Sequence, residues 1–144
     1  MEERELRDDE RTELQDAASA AIAALGVGVD DFSALLGALE ARVNERRASS
    51  DDWETEAIEL GALVAAVYEM GLGWEMVELS WPTGVTEYAV VEMDRSLAIL
   101  PMLAVAVLFE APDRKPELRS TFDRLATGER PPGLERGKVA VLLP

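Results

Sequence analysis

The residues of this sequence that could do chemistry are carboxylates. Between Asp51 and Glu92 stand ten acidic residues and no Lys or Arg, and the chain of 144 residues carries 29 acids against 14 bases. Two carboxylates held roughly 5 to 9.5 Å apart in a cleft can hydrolyse a glycosidic bond. With so many acids, pairs at that separation arise by chance, so their number alone selects no site. Other routes are closed by inventory. The chain has no Cys and no His, which removes disulfides, thiolate nucleophiles, zinc fingers and imidazole acid/base catalysis. Neither Lys115 nor Lys138 has a serine three residues before it, and no Gly-x-Ser-x-Gly elbow occurs. The crowd of Asp51, Asp52, Glu54 and Glu56 lacks the alternating Asp/Asn ligands and central glycine of a calcium loop, so no metal is expected. Gly71-Leu72-Gly73 precedes a strand pattern instead of opening a helix, the wrong context for a dinucleotide fingerprint, and no cofactor is implied. The sequence reads as non-enzymatic.

Charge then suggests what the chain would bind. Residues 1–50 hold twelve acids and six bases, residues 51–92 ten acids and none, and residues 93–144 seven acids and eight bases, for a net charge of -15. Such a field repels nucleic-acid phosphates and anionic membrane surfaces and steers a basic protein inward. The expected function is an acidic protein-binding module of the inhibitor, immunity or chaperone kind. Its partner-binding residues would be Glu75, Glu78, Glu87 and Glu92, with Trp81, beside Pro82 at a hairpin tip, as an aromatic anchor. Two alternatives stand beside it. A small-molecule-binding or sensory domain would show an apolar pocket between the helix holding Gly61 to Ala66 and the sheet. A carboxylate-dependent enzyme would show one cleft carboxylate with a strongly raised pKa beside another. Acidity also serves plain solubility, and two Lys against twelve Arg suits a high-GC or salt-adapted bacterium.

The elements that must position these residues follow from periodicity and punctuation. Residues 1–11 alternate acid and base and predict a frayed or solvated helical start. A first helix is expected from Thr12 to Leu25, with Leu14, Ala18, Ala21, Ile22 and Leu25 on one stripe. Asp30 or Asp31 caps a second, with Phe32, Leu35, Leu36, Leu39 and Val43 inward and Arg42, Arg46 and Arg47 at its negative end. After the linker Ala48-Ser49-Ser50, Asp51 and Glu54 form a capping-box pattern for a third helix reaching Met70. Its inward stripe is Trp53, Ala57, Leu60, Val64 and Val67 or Tyr68, widened by Ile58, Leu63 and Met70. Gly61, Ala62, Ala65 and Ala66 thin one side so that another backbone can approach, which makes this the central helix.

A hairpin from Trp74 to Met93 turns at Pro82-Thr83-Gly84. Its face bearing Val77, Leu79 and Trp81 is the more apolar near the turn and is assigned to the helices. Leu97 to Leu100 is a third strand. Pro101 opens a short buried helix over residues 102–110, with a strand as the alternative because Val105 and Val107 favour one. A last amphipathic helix runs from Pro116 to Thr127, with Leu118, Phe122 and Leu125 inward. After Pro131-Pro132-Gly133, Val139 to Leu143 is an extended segment that completes its own sheet or adds a strand to another chain.

The pattern Leu60-Gly61, then Leu72-Gly73-Trp74, a hairpin, Leu97-Ala98-Ile99-Leu100-Pro101, and Leu118 with Phe122-Asp123-Arg124-Leu125 resembles an uncharacterised bacterial family of small α+β domains. The likeness covers about residues 55–128. It implies the fold and carries no activity or site residue with it. A broader likeness is to the small acidic chaperones of bacterial secretion systems, which usually show five strands.

The expected architecture is α+β: a small antiparallel sheet of three to four strands with three to five helices in a single layer on one face. Residues 1–128 form one domain and residues 129–144 a Pro/Gly linker with an extended end. The opening Met1-Glu2-Glu3-Arg4-Glu5 has neither the basic nor the apolar region of a signal peptide, so a cytoplasmic protein is expected. The longest apolar run, Leu97 to Phe109, contains Pro101 and is too short for the roughly 20 residues of a membrane span. A homodimer is left open, since both hairpin faces carry apolar residues.

Overall fold

The computed structural model describes residues 1–28, 30–47 and 52–142. In chain order the elements are β1 (Glu2–Glu5), α1 (Asp8–Leu25), α2 (Phe32–Arg47), α3 (Glu54–Leu72), β2 (Glu75–Ser80), β3 (Thr86–Val91), β4 (Leu97–Ile99), α4 (Pro101–Glu110), α5 (Leu118–Ala126) and β5 (Ala140–Leu142). The class is α+β, as expected, with five helices and a five-stranded sheet among the described residues.

Helix α3 is central. Every residue from Leu60 to Ala65 is buried, because α1 packs along one side and α4 along another; a helix apolar on all sides finds its stability by being enclosed. The thin side predicted from Gly61 is where α4 crosses. A Cβ built on Gly61 would sit 2.6 Å from the Met102 Cα, so the two backbones meet with no room for a methyl group. Leu63 is fully buried, whereas Ile58 and Met70, expected to widen the stripe, are more than half exposed. The cap assigned to Asp51 and the linker 48–50 lie outside the described residues; among those described, Asp52 Oδ1 accepts the Glu54 N–H at 3.1 Å. At the other end Gly73 takes φ +69° and its N–H bonds the Glu69 carbonyl, a left-handed stop that side-chain-bearing residues disfavour.

Around α3 the remaining helices follow their signals. Asp31 Oδ1 accepts the Ala34 N–H at 3.1 Å and so caps α2. Arg42 and Arg46, expected to complement the end of α2, reach across instead: their Nε atoms donate to the two Glu56 oxygens of α3 at 2.6 and 2.7 Å. Arg47 donates to the Leu108 carbonyl near the end of α4. Pro101 stands in the first turn of α4, where a missing N–H costs nothing, and the strand alternative for residues 102–110 falls. Trp53 lies flat on Phe109, with ring centroids 5.3 Å apart.

The sheet departs from expectation in number and direction. Its order is β1-β2-β3-β4-β5, with antiparallel pairing as far as β4 and a parallel β4–β5 pair. The expected solvated start is β1, registered from Glu2 opposite Ser80 to Glu5 opposite Val77, followed by an α1 that begins four residues earlier than predicted. An edge strand made only of charged residues gives no period-two signal, yet charge is what protects an edge from pairing with other chains. The extended end docks in cis: Leu97, Ala98 and Ile99 pair with Ala140, Val141 and Leu142.

The face assignment of the hairpin is corrected too. Met76, Val90, Leu97 and Ile99 belong to the helix-side core. Val77, Leu79, Ala89, Val91, Ala98 and Leu100 form a second cluster on the opposite face, packed by Trp81, Leu103, Val139 and Val141. Alternation says which residues share a face and not which face meets the helices; here the helix side takes Glu78, whose charge is neutralised locally. Among the described residues the helical side chain packed on this face is Leu103 of α4, yet Val77, Ala89 and Val91 are fully buried. Residues 1–3 and 137–139, from opposite ends of the sheet, line one cleft with Leu79 and Arg95. The sheet therefore curls over its own second face. Among the described residues no helix is long and apolar enough to cross a membrane.

Candidate functional site

The acidic residues singled out in the sequence do not share a face. Glu78 points to the helix side of the sheet, while Glu75 and Glu87 lie on the other, with Val77 and Leu79. Three of the four are engaged by arginines distant in sequence. Arg95 Nη2 donates to Glu75 Oε2 at 2.8 Å and its guanidinium also grips both oxygens of Glu3. Arg130 donates to Glu92 Oε1 through Nε and Nη2 at 2.9 and 2.7 Å. Arg4 of β1 donates to Glu78. Glu87 makes no ion pair among the described residues. Trp81 is half-buried against the second cluster, so its ring is committed largely to the protein's own core.

The residue that organises this charge went unremarked in the sequence: Glu10, buried at 6% exposure. Its carboxylate accepts both Arg4 Nη1 and Nη2 at 2.9 Å, the Arg7 N–H at 2.9 Å and the Tyr88 hydroxyl at 3.0 Å. The bond to Arg7 closes the first turn of α1, and the other three tie that turn to β1 and β3. The Arg4 guanidinium, then the Arg7 amide, hold Glu10 well below the usual carboxylate range, at about 2. A carboxylate so stabilised in its charged form neither donates a proton near neutral pH nor binds one readily, so this clasp is architecture. Glu69 is the described carboxylate pushed upward, by burial first, with Arg11 opposing and Glu75 adding. The cleft beside it, lined by Leu6, Arg11 and Ala66, measures about 50 Å³, too little for a sugar ring. Among the described residues no three acids gather as a metal ion would require.

A different part of the molecule has the shape of a site. A cavity of about 160 Å³ lies between α3 (Val64, Tyr68), α4 (Ala104, Leu108), α5 (Leu118, Thr121) and the end of the sheet (Ile99, Leu142). Its mouth carries Arg114, Lys115 and Arg124, with Glu117 among them. The size matches a cavity known to admit a benzene ring, about 150 Å³. α5 brings its first turn to this wall; its N-cap Glu117 makes no side-chain cap bond, while the Glu40 carboxylate accepts the Arg119 N–H of that turn at 3.4 Å.

Tyr68 gives the cavity its polar feature. The residue is 2% exposed, and its ring is wedged edge-on between Trp74 and Phe122, at 5.2 and 5.5 Å. Its hydroxyl bonds no described residue, and no fully enclosed side-chain oxygen lacks a partner, so this oxygen meets open space; the cavity is the space Tyr68 lines. Burial pushes the phenol upward, which keeps it a neutral donor. In the sequence Tyr68 was one of two choices for the inward stripe, and the three bases had no assigned role. A pocket beside α3 is the mark only of the small-molecule alternative, between Gly61 to Ala66 and the sheet; the cavity shares Val64 with that stretch and extends to Tyr68, α4 and α5.

In comparisons with known proteins, no family model, curated protein or solved structure matches this chain.

Proposed function

We propose that this chain is a non-enzymatic small-molecule-binding domain whose site is the cavity between α3, α4, α5 and the β4–β5 end of the sheet. The observation that carries this reading is the Tyr68 hydroxyl, which bonds no described residue and opens onto the wall of an apolar cavity. The oxygen is open to the cavity, so water can bond it there, and an occupant with one polar group would take over that bond. Apolar lining with few polar groups is the common character of ligand pockets. A ¹H–¹⁵N NMR titration with benzyl alcohol tests it. Shifts should concentrate at Val64, Tyr68, Ala104, Leu108 and Leu118, and Ala104→Leu, which fills the cavity, should abolish them while leaving the fold intact. Shifts absent or scattered over the surface would reject the site.

A basic protein partner is the second reading, favoured by the net charge of -15. With Glu75, Glu78 and Glu92 engaged internally, Glu87 is the member of the proposed set left to meet it. If Glu87→Lys leaves salt-dependent capture of a basic protein unchanged, that face is wrong.

A further inference from the structure

The charge around the cavity mouth runs against the rest of the molecule. Among the described residues nine bases make side-chain hydrogen bonds or ion pairs: Arg4, Arg7, Arg42, Arg46, Arg47, Arg95, Arg119, Arg130 and Lys138. Arg11, Arg114, Lys115, Arg124 and Arg136 make neither, and three of these five line the one cavity. In a chain with twice as many acids as bases, cations with acidic partners are the rule. Here three cations stand beside a single carboxylate, Glu117, leaving the mouth net positive.

We propose that the ligand is a small carboxylate with a compact apolar body, about one ring in size. This rests on the small-molecule reading above and names the ligand class for the same site. The body fills the space among Val64, Ile99, Ala104 and Leu108, and the carboxylate lies at the mouth. Arg114 and Arg124 are suited to it because a guanidinium offers parallel donors that match a carboxylate's two oxygens. The Tyr68 hydroxyl, on the inner wall, would receive a polar substituent of the body or the nearer carboxylate oxygen. An acidic exterior does not exclude such an anion, because at physiological ionic strength exposed charges more than about 8 Å apart are largely screened from one another.

Calorimetric titration of the full chain at physiological ionic strength with three probes of one shape decides it: benzoate, its neutral isostere benzamide, and phenyl phosphate. Benzoate should bind at least tenfold more tightly than benzamide. In the double variant Arg114→Gln/Arg124→Gln that ratio should fall toward one, with benzamide binding unchanged, a control that the fold and cavity survive. Benzamide binding as well as or better than benzoate would overturn the carboxylate while leaving a small-molecule site. Phenyl phosphate binding tenfold more tightly than benzoate would overturn it in favour of a phosphate ester. If no probe binds at millimolar concentration, the inference and the reading beneath it both fall.

Discussion

Two charged regions of this molecule use the same side chains to opposite ends. At the β1 end of the sheet, Arg4, Glu10, Glu78 and Tyr88 satisfy one another. At the mouth of the α3–α5 cavity, Arg114, Lys115 and Arg124 have no ion pair and Tyr68 no hydrogen bond among the described residues. Both regions pair a tyrosine with arginines. In the first, each donor's acceptor is part of the chain. In the second, the donors face space. Charge density along the sequence pointed to Glu75, Glu78, Glu87 and Glu92, of which Glu78 lies in the first region, but a charge already answered inside the fold has little left to offer a partner.

The largest test of this contrast acts on the scaffold beneath the cavity. Gly61→Ala forces a methyl group against the Met102 backbone and should destabilise by about 1 to 3 kcal/mol, read as a lowered urea midpoint. Because α4 is a cavity wall, benzyl alcohol binding should weaken with it, while the ¹H–¹⁵N signals of Arg4, Glu10 and Tyr88 stay in place. If those signals moved instead, the two regions would not be separable.

Acid should break the clasp and spare the mouth. Glu10 has its folded pKa, about 2, below its ordinary 4.5, so its contribution is complete above the ordinary value and disappears as pH falls through the folded one. Wild-type unfolding midpoints should therefore decline between pH 4.5 and 2 more steeply than those of Glu10→Gln, a variant less stable than wild type at pH 7. Parallel pH profiles would mean that the clasp contributes no stability.

The tyrosines give the closest comparison. Tyr88→Phe removes a hydrogen bond to a charged carboxylate and should cost about 1.5 kcal/mol. Tyr68→Phe removes a hydroxyl that has no protein partner and should be neutral or slightly stabilising, while weakening a polar probe such as benzyl alcohol. A cost for Tyr68→Phe equal to that for Tyr88→Phe would show that the Tyr68 hydroxyl is bonded in solution and would remove the basis of the site. Smallest of all, Arg124→Gln should change stability by less than about 0.5 kcal/mol, with thermal unfolding as the readout.

How much of this was legible depended on how far apart in sequence the deciding groups lie. Gly61 with its alanines announced a close helix crossing, and Pro101 announced a helix start, because each signal is local and steric. β1 was unreadable because Glu2 to Glu5 gain their strand from β2, more than seventy residues away. Glu10 looked like one acid among many until Tyr88, 78 residues on, closed over it. The hairpin's two faces were sorted correctly, but their sides were exchanged, since the more apolar face lies against the sheet's own curl. The cavity could be expected beside α3. Its basic mouth could not, because Arg114, Lys115 and Arg124 come together only after α4 and α5 have folded back.

The parallel pairing of β5 with β4 fixes a time as well as a place. During synthesis the helices and the first four strands can assemble once residue 126 has left the ribosome, but Leu142 is a wall of the cavity and reaches β4 only across a crossover of some forty residues. Until then the hollow beside Tyr68 is an open trough. The cavity is thus the last part of this fold to be closed, and a nascent chain can be nearly folded before that wall is in place.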